Sequence, residues 1–331
     1  MNKAATADCP RTTWGQTVVH YLELIRFSHT IFALPFALLA TVWAFVVPIP
    51  LTNAAIRSVA LELSVPAYVA VQGKVLAGVL LCMVAARSFA MAMNRYLDQK
   101  WDRENPRTAN RHIPAGILSS VNVLWFSILC AVAFVAACGL FWPNRLPLLL
   151  SIPVLVFLAG YSLAKRFTIL VHFWLGAALM LAPICAWIAI RGEIVQSHPS
   201  DLLPAICLGC VVLLWVSGFD IIYACQDTEY DRSAGLFSIP ARIGVKNALR
   251  LAALCHAAMW CMAMLMSFCL PELSLGWVFR GVLLLIAVLL VIEHSVVSEK
   301  SLARVQLAFF KLNSVISVLF LVFGALDALW R

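Results

Sequence analysis

VLAGVLLCMVAARSFAMAMNRYLDQKWDR, residues 75–103, begins as a run fit for lipid and ends in amide and carboxylate side chains at regular spacing. Asn94, Asp98 and Asp102 follow one another at four-residue intervals, so on a helix they stand on one face. Arg87, seven residues before Asn94, shares that face. A second stretch, DIIYACQDTEYDR at 220–232, repeats the arrangement: Asp220, Tyr223, Asp227 and Asp231 are spaced by three, four and four. Ionisable groups at the end of an apolar span are costly to bury unpaired, so two matched stripes point to a site. Oxygen-only donors at this spacing suit Mg²⁺, which takes a few carboxylates together with phosphate oxygens and water.

The rest of the chain agrees with a membrane setting. Of 331 residues, 63% are hydrophobic and only 12% charged, and the mean hydropathy is +0.93. Soluble domains carry about 25% charged residues, so the expected class is an all-α integral membrane protein. A spanning helix needs about 20 mostly apolar residues. That rule gives about nine transmembrane helices, near 28–48, 74–95, 118–141, 146–164, 168–190, 202–222, 248–270, 275–297 and 306–329. The fourth is short and carries Pro147 and Pro153, so a count of eight stays open. Residues 1–27 read as a polar tail, and 28–331 as a single membrane domain. No small-residue cleavage site precedes the first apolar run, which is read as a retained span.

Basic residues set the orientation. Sixteen Lys and Arg fall in the tail and in the loops after spans two, four, six and eight, against six on the other side. The expected N-terminus and both acidic stripes are therefore cytoplasmic, in a cell inner membrane. The net charge of +8 is thus topological, with no nucleic-acid signature and no sign of an obligate protein partner. Most of the eleven cysteines lie inside apolar runs and read as small buried hydrophobes. Cys207 and Cys210 have the spacing of a metal pair, but no partner ligands accompany them.

The two stripes echo each other. Asp98 and Asp102 each precede Asp227 and Asp231 by 129 residues, each pair is followed by Arg, and each is followed later by Ile-Pro-Ala (113–115 and 239–241). Related halves facing across a cavity are the simplest geometry. A diphosphate held by metal and cations in such a cavity would belong to a lipid substrate. The allylic cation left behind would need a dry, aromatic-walled pocket. Phe27, Phe32, Phe36, Phe89, Trp174, Trp187, Trp215 and Phe219 are the aromatic candidates, most of them expected to serve in packing. No Cys/His set argues for zinc, no Walker-type loop is present, and no histidines pair at haem spacing. His29 and His112 alone fall on the reactive side. A transporter would more naturally hold its binding groups near the midplane, and a phospholipid head-group transferase would need its acids in one compact motif.

NRYLDQKWDRENPRTANRHIPAG resembles the first, N-x₃-D-x₃-D, signature of the UbiA superfamily of intramembrane prenyltransferases, and DIIYACQDTEYDRSAGLFSIPARIG resembles its second. IRFSHTIFALPF, Arg87 and YSLAKRFT at 161–168 are also similar to that family. The resemblance implies a bundle of nine transmembrane helices around a central cavity open to lipid, and Mg²⁺-dependent transfer of a prenyl chain from a polyprenyl diphosphate to an aromatic acceptor. By position it implies that Asn94, Asp98 and Asp102 bind the Mg²⁺-diphosphate from one side and Asp227 and Asp231 from the other. Arg87, Lys165 and Arg166 would contact diphosphate or the acceptor's carboxylate, with Arg103 and Arg111 as secondary cations, and Tyr223 would line the site. Tyr161 with Lys165-Arg166 resembles the branch that uses hydroxyaromatic acids, 4-hydroxybenzoate or 1,4-dihydroxy-6-naphthoate, in ubiquinone or menaquinone biosynthesis. Branches with haem O, chlorophyll or tocopherol-type acceptors are the main alternative, and a lipid or quinone transporter is a weaker one.

Overall fold

Thirteen α-helices and a few single 3₁₀ turns make up the described part of the chain, and no strand occurs among those residues. The computed structural model describes residues 14–48, 65–297 and 308–330, without the side chains of 27–29, 65–71 and 308–309. Phe27 and His29, expected above to matter, fall among those undescribed side chains. The helices are α1 (Trp14–Leu24), α2 (Leu34–Val46), α3 (Val65–Leu97), α4 (Gln99–Glu104), α5 (Ser120–Cys138), α6 (Leu146–Ala164) and α7 (Val171–Ser197). They continue with α8 (Leu203–Ala224), α9 (Thr228–Ser233), α10 (Ile239–Ile243), α11 (Val245–Cys269), α12 (Trp277–Val296) and α13 (Asn313–Leu329).

Among the described residues, eight helices are long and apolar enough to cross a membrane, starting with Gln72–Leu97. The expected first span is present but short, an apolar helix over Thr30–Val46. At about 1.5 Å per residue, α2 alone covers roughly 20 Å of a hydrocarbon core about 30 Å thick. It can be short because it is an inner element: Phe36, Leu39, Ala40 and Trp43 are fully buried. Arg191 collects the carbonyls at its end, donating to Ala44 O at 3.2 Å and Val47 O at 2.9 Å, while its fork pairs with Asp201 at 2.6 and 2.9 Å. The fourth expected span, by contrast, stays one helix through Pro153.

Lipid offers no hydrophobic drive between helices, so small residues and interhelical hydrogen bonds hold the bundle together. Gly176 lets α7 lie against α8: a Cβ there would sit 2.5 Å from Leu213 O. Gly218 does the same for α8 and α11, where a Cβ would sit 2.3 Å from the His256 ring. The core between α2, α7, α8, α11, α12 and α13 is filled by Trp43, Trp187, Trp215, Phe279 and Phe320. Their indole groups are all satisfied, Trp43 by Gly324 O at 3.0 Å and Trp215 by Asn313 Oδ1 at 2.7 Å. Asn313 in turn donates to the buried Glu293 at 2.9 Å. Phe36, Trp187 and Trp215 thus serve in packing, as expected of most aromatics in the spans.

At the end of the bundle that carries the acidic motifs, two spans break in the same way. α3 stops at Leu97 and α4 starts at Gln99; α8 stops at Ala224 and, after one 3₁₀ turn, α9 starts at Thr228. The residues at the two breaks are Asp98 (φ −92°, ψ 4°) and Asp227 (φ −103°, ψ 8°). Both sit in the sparsely populated bridge region, where site residues are common. The 129-residue echo is therefore structural: equivalent aspartates cap equivalent six-residue helices. Equivalent positions also touch, since Tyr230 Oη donates to Trp101 O at 2.8 Å. The two motifs face each other.

Candidate functional site

A polar cavity of about 270 Å³ opens between the motifs. Asn94, Asp98 and Asp102 line it from α3 and α4, and Asp220, Tyr223 and Asp227 from α8 and the turn after it. Asn94 Nδ2 donates to Asp98 Oδ2 at 2.7 Å, which ties the first two members of the stripe together. Arg87, Tyr161, Lys165 and Arg166 complete the expected set on the wall. Asp231 differs. It is fully buried, does not line the cavity, and lies with Oδ1 2.6 Å from Lys165 Nζ. The contact is ionic without good hydrogen-bond direction, for neither Asp231 oxygen has a hydrogen-bond partner. What sets Asp231 apart from Asp102 is the 3₁₀ turn over Cys225–Asp227, which has no counterpart before Asp98 and shifts the register of α9 relative to α8.

Asp98, Asp102 and Asp227 are each answered by an arginine, and Asp220 by a histidine. Arg166 donates to Asp98 Oδ1 at 3.3 Å and to Leu97 O at 2.8 Å, with its guanidinium 4.1 Å from the centre of the Trp101 ring. Arg111 donates to Asp102 Oδ1 at 2.6 Å. Arg107 grips Asp227 with two prongs, Nε to Oδ1 at 2.7 Å and Nη2 to Oδ2, and gives its remaining prong to the Tyr223 hydroxyl at 2.9 Å. Asn105 adds a third donor to Asp227 at 3.1 Å. His172 meets Asp220 at 2.7 Å. Burial and then the neighbouring Asp102 charge push the Asp98 carboxyl up, with Arg166 and Lys165 pulling the other way. Burial works against the charge of Arg107, but its bonds to Asp227 and Tyr223 prevail and hold it above its ordinary value.

Residues that sequence spacing did not single out make up much of the wall: Arg26, Arg95, Trp101, Asn105, Arg107 and His172. Arg26 adopts a left-handed backbone (φ 46°), a conformation that costs a non-glycine residue and recurs at functional sites. Arg103, named above as a secondary cation, is exposed and not on the wall, whereas Arg111 is. Seven Lys and Arg face four Asp across the cavity, a formal surplus of three positive charges that suits a polyanion. Two of these cations, Arg87 and Arg166, have a buried Nε that lacks any hydrogen-bond partner. Asp102 likewise has one buried carboxylate oxygen, Oδ2, with none. An orphaned carboxylate oxygen on the same cavity wall as Asn94, Asp98 and Asp227 offers an oxygen ligand for a hard cation.

Below the polar cavity lies a second, apolar one of about 160 Å³ between α3, α5, α6 and α7. Val79, Met83, Phe134, Leu158, Ala182 and Ile188 line it, and Arg87, Met91, Tyr161, Leu175 and Leu179 belong to both walls. A charged chamber therefore adjoins a greasy one, with Arg87 and Tyr161 on the walls of both. Such a pair accepts an anionic head with an apolar tail.

The model of the UbiA prenyltransferase family matches residues 56–315. A 4-hydroxybenzoate octaprenyltransferase of Nitrosomonas eutropha is 29% identical over 238 residues, 72% of this chain and 78% of that protein. One from Tolumonas auensis is 32% identical over 169 residues, 51% of this chain and 56% of its own length. The UbiA prenyltransferase claS of Ampulloclitocybe clavipes is 34% identical over 153 residues, 46% of each chain. The matched segment thus spans only about half the length of the last two relatives. Among solved structures, the apo UbiA homologue of Aeropyrum pernix K1 superposes with a TM-score of 0.72 at 29% identity, over 88% of this chain and 94% of that one. The Archaeoglobus fulgidus homologue bound to DMAPP and Mg²⁺ shares the fold, with a TM-score of 0.62 at 17% identity, over 93% and 99% of the two chains.

Proposed function

Because the chain belongs to the UbiA prenyltransferase family, we propose that it transfers a polyprenyl chain from a polyprenyl diphosphate to the ring of a hydroxyaromatic acid, with Mg²⁺ as cofactor. The observation that carries this reading is the adjacency of the cation-rich chamber and the apolar one, which share Arg87 and Tyr161 on their walls. The names of relatives, 4-hydroxybenzoate octaprenyltransferases, support the acceptor class, and a neighbour bound to DMAPP and Mg²⁺ supports donor and metal. The same proposal places residues 28–331 in one membrane domain, with both motifs at the cytoplasmic face of the inner membrane.

Asn94, Asp98, Asp102 and Asp227 would hold Mg²⁺, whose charge would neutralise the diphosphate oxygens. The diphosphate would lie against Lys165, Arg166 and Arg107, and the prenyl tail would run past Tyr161 into the apolar chamber. Charge grows on the bridging oxygen as the allylic C–O bond breaks and the diphosphate leaves with the electron pair. Preorganised cations there stabilise the transition state more than the ground state. Asp231 acts in this scheme as a positioning residue that holds Lys165 Nζ. The ring carbon beside the acceptor's hydroxyl attacks the allylic cation and then loses its proton. Arg87, with its uncommitted Nε, is assigned to the acceptor's carboxylate. No side-chain nucleophile is required, as the ring carbon itself attacks.

The test is a membrane assay with one polyprenyl diphosphate and either 4-hydroxybenzoate or 1,4-dihydroxy-6-naphthoate, read by mass spectrometry of the extracted lipid. A prenylated ring from one acid supports the reading. Correctly inserted protein that prenylates neither acid refutes it.

A further inference from the structure

A second cluster of ligating side chains lies outside the cavity, where helix α1 meets the loop between α4 and α5. His20 and Glu23 stand three residues apart on α1, on one face of that helix. His112 comes from the loop and enters between them. Its Nε2 is 3.3 Å from Glu23 Oε2, and His20 Nδ1 is 3.8 Å from the same oxygen. The two imidazoles meet edge to face with centroids 5.7 Å apart. One ligand atom from each of the three residues lies within 4.8 Å of the others. His20 Nδ1 is buried and has no hydrogen-bond partner, an orphaned nitrogen turned toward two potential co-ligands.

From these contacts we propose that His20, Glu23 and His112 form a transition-metal site of the Zn²⁺ class, separate from the acidic cavity. Tetrahedral bonds of about 2.0–2.2 Å place neighbouring donors roughly 3.3–3.5 Å apart. The His112–Glu23 separation already has that value, the His20–Glu23 separation exceeds it by about half an ångström, and all three ligand atoms lie within 4.8 Å of one another. Two imidazoles and one carboxylate prefer Zn²⁺ over Mg²⁺, while the oxygen-only set in the cavity prefers the reverse. One chain then carries two centres that sort metals by donor type. The surroundings keep the ligands in place: Leu24, Ile25, Ile113 and Leu118 pack together in one buried cluster, and His112 O accepts from Leu118 N at 3.1 Å. Three protein ligands leave a fourth position for water.

The site would staple α1 to a loop with a second role. That loop carries Asn105 and Arg107, which hold Asp227, and Arg111, beside His112, which holds Asp102. Metal at His112 would therefore restrict the residues that orient the acidic motifs.

The test uses the full chain in nanodiscs, stripped with chelator and titrated with Zn²⁺ against a competing chromophoric chelator, with Co²⁺ absorption reporting geometry. One Zn²⁺ per chain at micromolar or tighter affinity is expected. His20→Ala and His112→Ala should weaken it at least tenfold, an effect of the size seen for perturbed metal sites. An Asp98→Asn/Asp227→Asn double variant should keep it, and Zn²⁺ should slow amide exchange in 14–24 and 105–118 of the wild-type protein. Zn²⁺ binding that disappears in the double variant, histidine variants that bind as the wild type does, or exchange that Zn²⁺ leaves unchanged would each overturn the site. The exchange measurement needs no variant, so it stands even where a substitution misfolds.

Discussion

Arg107→Ala tests the candidate site where sequence reading was blind. The substitution removes two charge-assisted bonds to Asp227 and one donor to the Tyr223 hydroxyl. Asp227 keeps only Asn105 as a donor, in a position where its side chain is 9% exposed. Bonds to charged groups contribute about 1.5–3 kcal/mol each, and breaking one side of a buried pair costs about 3–5 kcal/mol. Arg107 is itself 28% exposed, so water partly compensates, and a loss of about 1–3 kcal/mol in stability is expected. Catalysis should suffer as well. Losing the partner that orients a ligating carboxylate costs about 10–100-fold in activity, and Arg107 is that partner of Asp227. Arg107→Lys keeps the charge but not the fork, so it should restore stability further than turnover. Thermal unfolding in detergent and steady-state prenyl transfer measure the two quantities. An alanine variant with wild-type kcat and unchanged unfolding would refute the account of how this loop holds Asp227.

Asp98→Ala and Asp227→Ala should each abolish turnover while the protein still inserts; full activity in either would remove the carboxylates from the metal site. Chelation with EDTA should stop the reaction and added Mg²⁺ restore it, and a rate indifferent to chelator would contradict the oxygen-ligand reading. Lys165→Ala strips the fully buried Asp231 of its cation, so it should lower both stability and diphosphate handling. If both substrates keep their normal kinetics in that variant, Lys165 does not act in the site. Gly176→Ala should cost about 1–3 kcal/mol by overpacking, given a Cβ position 2.5 Å from Leu213 O; unchanged thermal stability would mean that α7 and α8 can separate freely.

Local periodicity explains what could be read in advance. Membrane spans follow from composition over about 20 residues, and most helices lie within a few residues of the expected ranges, down to Leu146–Ala164, although α7 runs past the expected end at 190 to Ser197. The stripes follow from helical spacing, which is why Asn94, Asp98, Asp102, Tyr223 and Asp227 all reach one cavity. Asp231 does not follow the stripe into the cavity, because the 3₁₀ turn over Cys225–Asp227 interrupts the α-helical period before it. The composition rule missed the brevity of the first span, since a helix walled in by neighbours need not match the bilayer.

The chain by itself determined its class, its helices and two acidic faces, because each rests on residues within a few turns of one another. Tertiary structure alone decided which charges meet. Arg107 finds Asp227 across 120 residues, and Arg166 finds Asp98 across 68. Those pairings depend on the path of two loops and on spans packed closely enough at Gly176 and Gly218 to bring the motifs face to face. No spacing rule encodes a distance between residues so far apart. The same holds for His20, Glu23 and His112, which become neighbours only when α1 folds back on the loop.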